Sequence, residues 1–324
     1  MLSVDRYREE FEEYLSRKII KQEPANLYDP MVYILSLGGK RVRPVLVLMA
    51  AEIFGSDYKK ALDAALAIEV FHNFSLVHDD IMDDAPLRRG KQTVHERWDI
   101  NTGILSGDAM LIKAYQLFEN YPGETFRQLA ELFSKTAIEV CEGQQYDMDF
   151  EVLEKVQIDE YLKMIEYKTA VLVGASLKMG AIVANASEEN SKKIYEFGRL
   201  LGIAFQLQDD YLDAFGDPDS FGKQVGGDII ENKKTFLYLT SLQQAASGEA
   251  IQLEHLYSIN PPDPASKVET VKSLFESSGA AELTRKEIQK YTQQAFAVLD
   301  ELQIEEDRKK LLYNFGKGLM NRQV

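Results

Sequence analysis

Two aspartate-rich stretches hold the residues best suited to chemistry. The first is Ser75-Leu-Val-His-Asp79-Asp80-Ile-Met-Asp83-Asp84, followed by Ala-Pro-Leu-Arg88-Arg89-Gly-Lys91. The second is Gln206-Leu-Gln-Asp209-Asp210-Tyr-Leu-Asp213. In each, two carboxylates stand four residues apart, which on a helix puts them on one face. The acid between them, Asp80 or Asp210, is turned by about a hundred degrees. Carboxylates crowded in this way repel one another unless a cation lies among them. All-oxygen, carboxylate-rich sites suit Mg²⁺, which binds through a few carboxylates together with phosphate oxygens. Arg88 and Arg89 follow the first cluster, and guanidinium forks match phosphate oxygens. Metal plus arginine reads as a diphosphate site. A single DDxxD is usually a solvated helix end; its recurrence far down the chain is what makes the pair informative.

The positioning elements are helices. Ala61 to Val77 lacks Pro and Gly and is rich in Ala, Leu and Ile, so the spacing predicts a helix that carries Asp79 and Asp83 on its last turn. Leu200 to Leu207 does the same for the second motif, at the end of a helix from Ser191. Residues 4–21 form an amphipathic surface helix with Tyr7, Phe11, Tyr14 and Leu15 on one stripe. A helix over Pro30 to Leu37 is broken by Gly38-Gly39. Lys40 and Arg43 then converge on an anion near the start of the next helix, with Pro44 in its first turn. Taken alone, that GGKR run is a solvated turn. His72, two turns before Asp79, reads alone as a packed core residue. Thr125 to Val140 is predicted helical, ending near Gly143; Ile158 to Met179 is predicted helical, with Lys168 among apolar neighbours that require an anion partner. Phe215 to Lys223 is a Gly/Pro loop, followed by Gly226-Gly227-Asp228 and Lys233-Lys234-Thr235. No strand periodicity of any length appears. The fold class is all-α, with no interdomain linker, read as one domain over 1–324.

Composition limits the alternatives. The chain has 324 residues, a hydrophobic fraction of 45% and a formal charge of −15, which suits a large core and argues against nucleic-acid binding. Lys40-Arg41-Val-Arg43 and Arg88-Arg89-Gly-Lys91 are thus local basic groups in an acidic chain. The one cysteine, Cys141, excludes an internal disulfide framework and reads as helix packing. No signal-peptide core and no membrane-length apolar segment is visible, so the expected location is cytoplasmic.

In this order, the motifs resemble the trans-isoprenyl diphosphate synthase (polyprenyl synthetase) family. They are GGKRVRP at 38–44, HNFSLVHDDIMDDAPLRRGKQTVH at 72–95, GD at 107–108, GQQYD at 143–147, KT at 168–169, QLQDDYLD at 206–213, GK at 222–223 and KKT at 233–235. The resemblance implies an isoprenoid-synthase-type helical bundle around a deep central cavity, usually a homodimer. It implies head-to-tail joining of an allylic diphosphate to isopentenyl diphosphate with release of pyrophosphate. By position, Asp79, Asp83 and Asp209 correspond to ligands of three Mg²⁺ ions, with Asp80, Asp210 and Asp213 as auxiliary acids. Arg88, Lys168, Lys223 and Lys233 correspond to the allylic diphosphate site, where Lys234 competes with Lys233. Thr169 and Gln206 fall near the reacting carbons. Lys40, Arg43, His72 and Arg89 correspond to the isopentenyl diphosphate site.

Chain length of the product depends on what blocks the cavity below the first motif. Phe74 and Phe71, five and eight residues before Asp79, lie on the face descending from it, beside Ser75. An aromatic five places before an uninserted DDxxD resembles short-chain enzymes, particularly those making C20, with a C15 product next if Phe71 adds a second floor. A terpene cyclase normally lacks the second DDxxD and needs no second diphosphate pocket. A head-to-head synthase is disfavoured by that same pocket. A non-catalytic modulating subunit typically has damaged aspartate motifs, and both are intact here.

Overall fold

The computed structural model describes residues 1–217 and 225–320. These are helical almost throughout, so the all-α expectation holds. The chain divides into two compact units, one of residues 1–134 with 175–192 and one of residues 135–174 with 193–324. Among the described residues no helix is long and apolar enough to cross a membrane.

In the first unit, α1 (Val4–Lys18) buries Tyr7, Phe11 and Leu15 from its apolar stripe. Helix α2 spans Ala25–Ser36, five residues more at its start than the sequence predicts. Its Pro30 lies inside it: the missing N–H costs one backbone bond in a helix whose buried Met31, Ile34 and Leu35 hold it in place. Helices α3 (Val42–Ile53) and α4 (Leu62–Met82) are buried along most of their length. Both pack together, and α4 also packs along α6 (Ile100–Phe118), beyond the short α5 (Val94–Arg97). Between α4 and α5 lies a two-residue hairpin that periodicity does not reveal. Strands β1 (Leu87–Arg88) and β2 (Lys91–Gln92) pair Arg88 with Lys91. Arg89 and Gly90 both have positive φ, 53° and 72°, the mark of a type I′ turn.

Helix α7 (Gly123–Val152) continues well past Gly143, where the sequence predicts its end. In the second unit follow α8 (Ile158–Ile165), a π-helical turn over Glu166–Ala170, α9 (Val171–Val183, which ends in the first unit) and α10 (Glu188–Phe215). Beyond them are α11 (Gly227–Ile230), α12 (Phe236–Gln244), α13 (Ser247–Leu256), α14 (Ala265–Ser277), α15 (Ala280–Asp300) and α16 (Glu306–Met320). Its core joins Tyr161, Ile165, Leu207, Tyr211, Leu237, Val271 and Phe275.

Candidate active site

The first aspartate motif closes α4. Asp79 and Asp80 lie in its last turn and Asp83 caps it, its N–H donating to the Asp79 carbonyl at 2.8 Å. Asp80 is fully buried and taken up by Arg88, whose Nε lies 2.8 and 2.9 Å from the two carboxylate oxygens and whose Nη2 lies 2.6 Å from Oδ1. A guanidinium fork on a buried carboxylate is a strong, directional pair. Asp80 therefore fixes the hairpin's first arginine rather than joining Asp79 and Asp83 on their shared face.

Below the motif, aromatic rings fill the α4 face. Phe74 lies 5.6 Å from Phe71 between centroids, and Phe71 lies 5.0 Å from Phe133 of α7. Ser75 turns its hydroxyl back onto the His72 carbonyl at 2.9 Å.

The second basic group surrounds the start of α3. Arg41 adopts left-handed backbone, φ 49°, and its buried side chain pairs with Glu69 and donates to the Leu35 carbonyl. Arg43 Nη1 lies 3.2 Å from His72 Nε2. A guanidinium only donates, so Nε2 is the acceptor and the imidazole proton sits on Nδ1. Burial, then Arg43 and Arg89, hold the His72 pKa well below its ordinary value, and the ring is neutral. Arg89 donates to the Gly38 carbonyl. Lys40 is exposed on the adjoining Gly38–Gly39 turn. Of the isopentenyl diphosphate residues expected from sequence, Arg43, His72 and Arg89 are thus held around the Gly38–Arg43 loop and α4, with Lys40 on the loop itself.

A pocket of about 140 Å³ opens in the second unit, lined by residues including Asp147, Tyr161, Lys168, Thr169, Gln206, Asp210, Asp228, Asn232, Lys233 and Lys234. The π-turn presents Lys168 and Thr169 to it. Two glycines let neighbouring helices close on that turn. A Cβ on Gly143 of α7 would collide with the Lys168 backbone nitrogen, and one on Gly202 of α10 would lie 2.7 Å from Ala170 Cα. One helical turn beyond each glycine stands the partner side chain. Asp147 pairs with Lys168 at 2.5 Å, and Gln206 accepts from the Thr169 hydroxyl at 3.1 Å. Helix α7 therefore continues through Gly143 because the contact, not helix termination, requires the glycine.

The second aspartate motif occupies the last turns of α10, which ends at Phe215. Gln206 donates to Asp210 Oδ1 at 2.8 Å, and the buried Tyr161 hydroxyl donates to Asp210 Oδ2. Burial and the neighbouring Asp209 raise the Asp210 carboxyl to about 6. Asp213 accepts from the Asp228 N–H at 2.9 Å. Burial, then Asp210 and Asp213, raise Asp228 to about 8. Acids gathered this closely are the expected signature of a cation site, and their all-oxygen donors fit Mg²⁺.

Lys233 faces Asp228 at 3.8 Å and Glu231 at 2.9 Å; burial opposes its charge, yet those acids raise its pKa overall. Lys234 donates to the carbonyls of Phe150 and Glu151 at the end of α7, at 2.6 and 3.4 Å. Of the two competing lysines, Lys233 is the one committed to the acids. Lys223 lies outside the described residues. The sequence reading assigned no role to Asp147, Tyr161, Asp228 or Asn232. For Asp147 and Asp228 the signal was their place in the GQQYD and GGD runs; Tyr161 and Asn232 carry none.

An all-α chain with two acid motifs, a lysine-lined pocket and a separate arginine cluster defines a prenyltransferase. The polyprenyl synthetase family model matches residues 24–276, and the chain belongs to that family. The chain is 43% identical to a geranylgeranyl diphosphate synthase of Methanosarcina mazei over 68% of this chain and 69% of the relative. It is 38% identical to a geranylfarnesyl diphosphate synthase of Natronomonas pharaonis over 86% of this chain and 85% of the relative. A solved geranylgeranyl pyrophosphate synthase, 54% identical, superposes with a TM-score of 0.96 over 100% of both chains. Another, from Corynebacterium glutamicum, was solved with isoprenyl diphosphate and magnesium; it is 25% identical, with a TM-score of 0.84 over 99% of this chain and 98% of that one.

Proposed function

We propose that this protein joins isopentenyl diphosphate head to tail to an allylic diphosphate, releases pyrophosphate, and makes the C20 geranylgeranyl product. The observation that carries the reading is the pair of oppositely charged sites: an arginine cluster around a neutral His72, and an acid-rich pocket with Lys168 and Lys233. A reaction of two diphosphates needs both, whereas a cyclase needs one. Asp79, Asp83 and Asp209, with Asp80, Asp210 and Asp213 in support, would hold Mg²⁺, three ions in this reading, which would supply neutralisation of charge on the leaving diphosphate.

Arg88, Lys168, Lys223 and Lys233 hold the allylic diphosphate. Thr169 and Gln206, fixed to each other and to Asp210, lie beside the reacting carbons. Lys40, Arg43, His72 and Arg89 hold isopentenyl diphosphate, so that its double bond attacks the allylic carbon at close range. No side chain is assigned as the base; the released pyrophosphate takes the proton. The active form is a homodimer, for which the exposed Ile104, Leu105 and Ile112 of α6 supply an apolar face.

Phe74 and the edge-to-face Phe71–Phe133 pair beneath it support a short product, and the geranylgeranyl names among relatives favour C20. The geranylfarnesyl relative makes C25 the specific competitor. Product analysis with Mg²⁺, labelled isopentenyl diphosphate and each allylic primer tests this. A C20 main product that lengthens in Phe74→Ala is expected. A C25 product, or a C20 product unchanged by Phe74→Ala, would remove Phe74 as the floor, and no product from any primer would reject the activity.

A further inference from the structure

Lys267 is a buried lysine that the reaction as described does not use. It sits in the first turn of α14 and is 4% exposed. A cation there is opposed both by burial and by the positive end of the helix dipole, so its position needs compensation. Its ammonium reaches three acceptors: Asn232 Oδ1 at 2.5 Å, the Ile259 carbonyl at 3.0 Å and the Ile230 carbonyl at 3.5 Å. The Tyr257 ring adds a fourth surface, its centroid 5.8 Å from Nζ.

Two of those acceptors belong to the segment that carries the pocket lysines. Asn232 lines the pocket in left-handed backbone, φ 59°, and its amide donates to Asn260 at 2.7 Å. That turn is where the chain reverses after α11, with the Lys233 N–H on the Asp228 carbonyl at 2.9 Å and the Thr235 N–H on the Lys233 carbonyl at 2.9 Å. Immediately beyond it, Lys233 and Lys234 diverge to the acids and to the end of α7. Helix α14 grips the start of the same segment as well: a Cβ on Gly226 would lie 2.7 Å from Val268.

We propose that Lys267 is a positioning residue for the allylic diphosphate site, locking the Asn232 turn so that Lys233 is presented at a fixed angle. This rests on the reading that Lys233 binds that diphosphate. Lys267 itself touches no substrate. It acts through Asn232, and its cost of burial is offset by donors matched to acceptors on one short segment.

The test compares steady-state kinetics of Lys267→Met, Lys267→Arg, Asn260→Ala and Lys233→Ala in the full-length protein. Lys267→Met is expected to raise KM for the allylic diphosphate about tenfold, the effect of losing one charge-assisted hydrogen bond, with KM for isopentenyl diphosphate within about twofold. Lys267→Arg restores much of the allylic KM. Asn260→Ala, at an exposed site, shifts it in the same direction by a smaller factor. An unchanged allylic KM in Lys267→Met, or equal rises in both KM values, overturns the positioning role. Should Lys267→Met fail to fold, an unchanged allylic KM in Asn260→Ala overturns it. If Lys233→Ala leaves the allylic KM unchanged, the underlying reading of Lys233 falls instead.

Discussion

The loop leading into α3 crowds cations and the pocket of the second unit crowds acids, and the two respond to that strain in mirror image. Around Arg43, His72 stays neutral because burial and arginines disfavour a further positive charge. In the pocket, Asp210 and Asp228 are pushed up because burial and carboxylates disfavour further negative charge. The arginine site is complete as a diphosphate receptor, since guanidinium donors meet phosphate oxygens directly. The acidic site is not, because a diphosphate is repelled until a divalent cation is interposed. On the proposed function, like-charge clusters of opposite sign would mark which substrate is bound by protein alone and which requires metal.

The largest effect should come from the acids. Asp79→Ala or Asp209→Ala should lower turnover about a thousandfold while circular dichroism stays unchanged. Near-normal turnover would detach the aspartate motifs from metal chemistry. The cationic side should respond in affinity instead. Arg43→Ala should raise KM for isopentenyl diphosphate roughly ten- to a hundredfold and leave the allylic KM within about twofold. Equal changes in both would erase the distinction between the sites.

The smallest effect concerns stability in the presence of chelator. Asp228, raised to about 8, and Asp210, raised to about 6, bind protons in the folded chain that the unfolded chain releases near pH ~4. Their contribution is complete below that pH and is lost as pH rises through about 6 and about 8. His72 runs oppositely: kept neutral, it contributes above its ordinary pKa of 6.5 and loses stability as pH falls below it. Asp228→Asn should therefore melt a few degrees above the parent at about pH 8.5, with the gap narrowing steadily as pH falls and closing only near pH ~4. Equal melting curves throughout would mean that Asp228 is not a buried charge.

What rests on spacing within one helix is legible in the sequence. Asp79 and Asp83, Asp209 and Asp213, and Phe71 and Phe74 all follow from the helical repeat. Lys168 was legible as a charge in need of a partner, but the partner was not, because Asp147 arrives from another helix. The same holds for Arg88 on Asp80: both residues stand in the first motif, yet only the hairpin turn at Arg89–Gly90 reveals that they face each other. Gly143 was misread as a helix end because a glycine used for close approach and a glycine used as a stop look alike in one sequence. The start of α2 was missed for a related reason, since Pro30 was given more weight than the buried residues around it.

The π-turn at Glu166–Ala170 has a consequence for how the chain tolerates insertions and deletions. A π-turn equals an α-helix with one surplus residue. Removing any one residue from 166–170 would heal the helix rather than break it, at little cost to the backbone. The helical segments on either side would keep their mutual phase, and only the residues of the turn itself would be re-aimed. Lys168 and Thr169 could no longer meet Asp147 and Gln206 together. The second unit would keep a regular helix there and lose the paired contacts that hold Lys168 and Thr169 at its pocket.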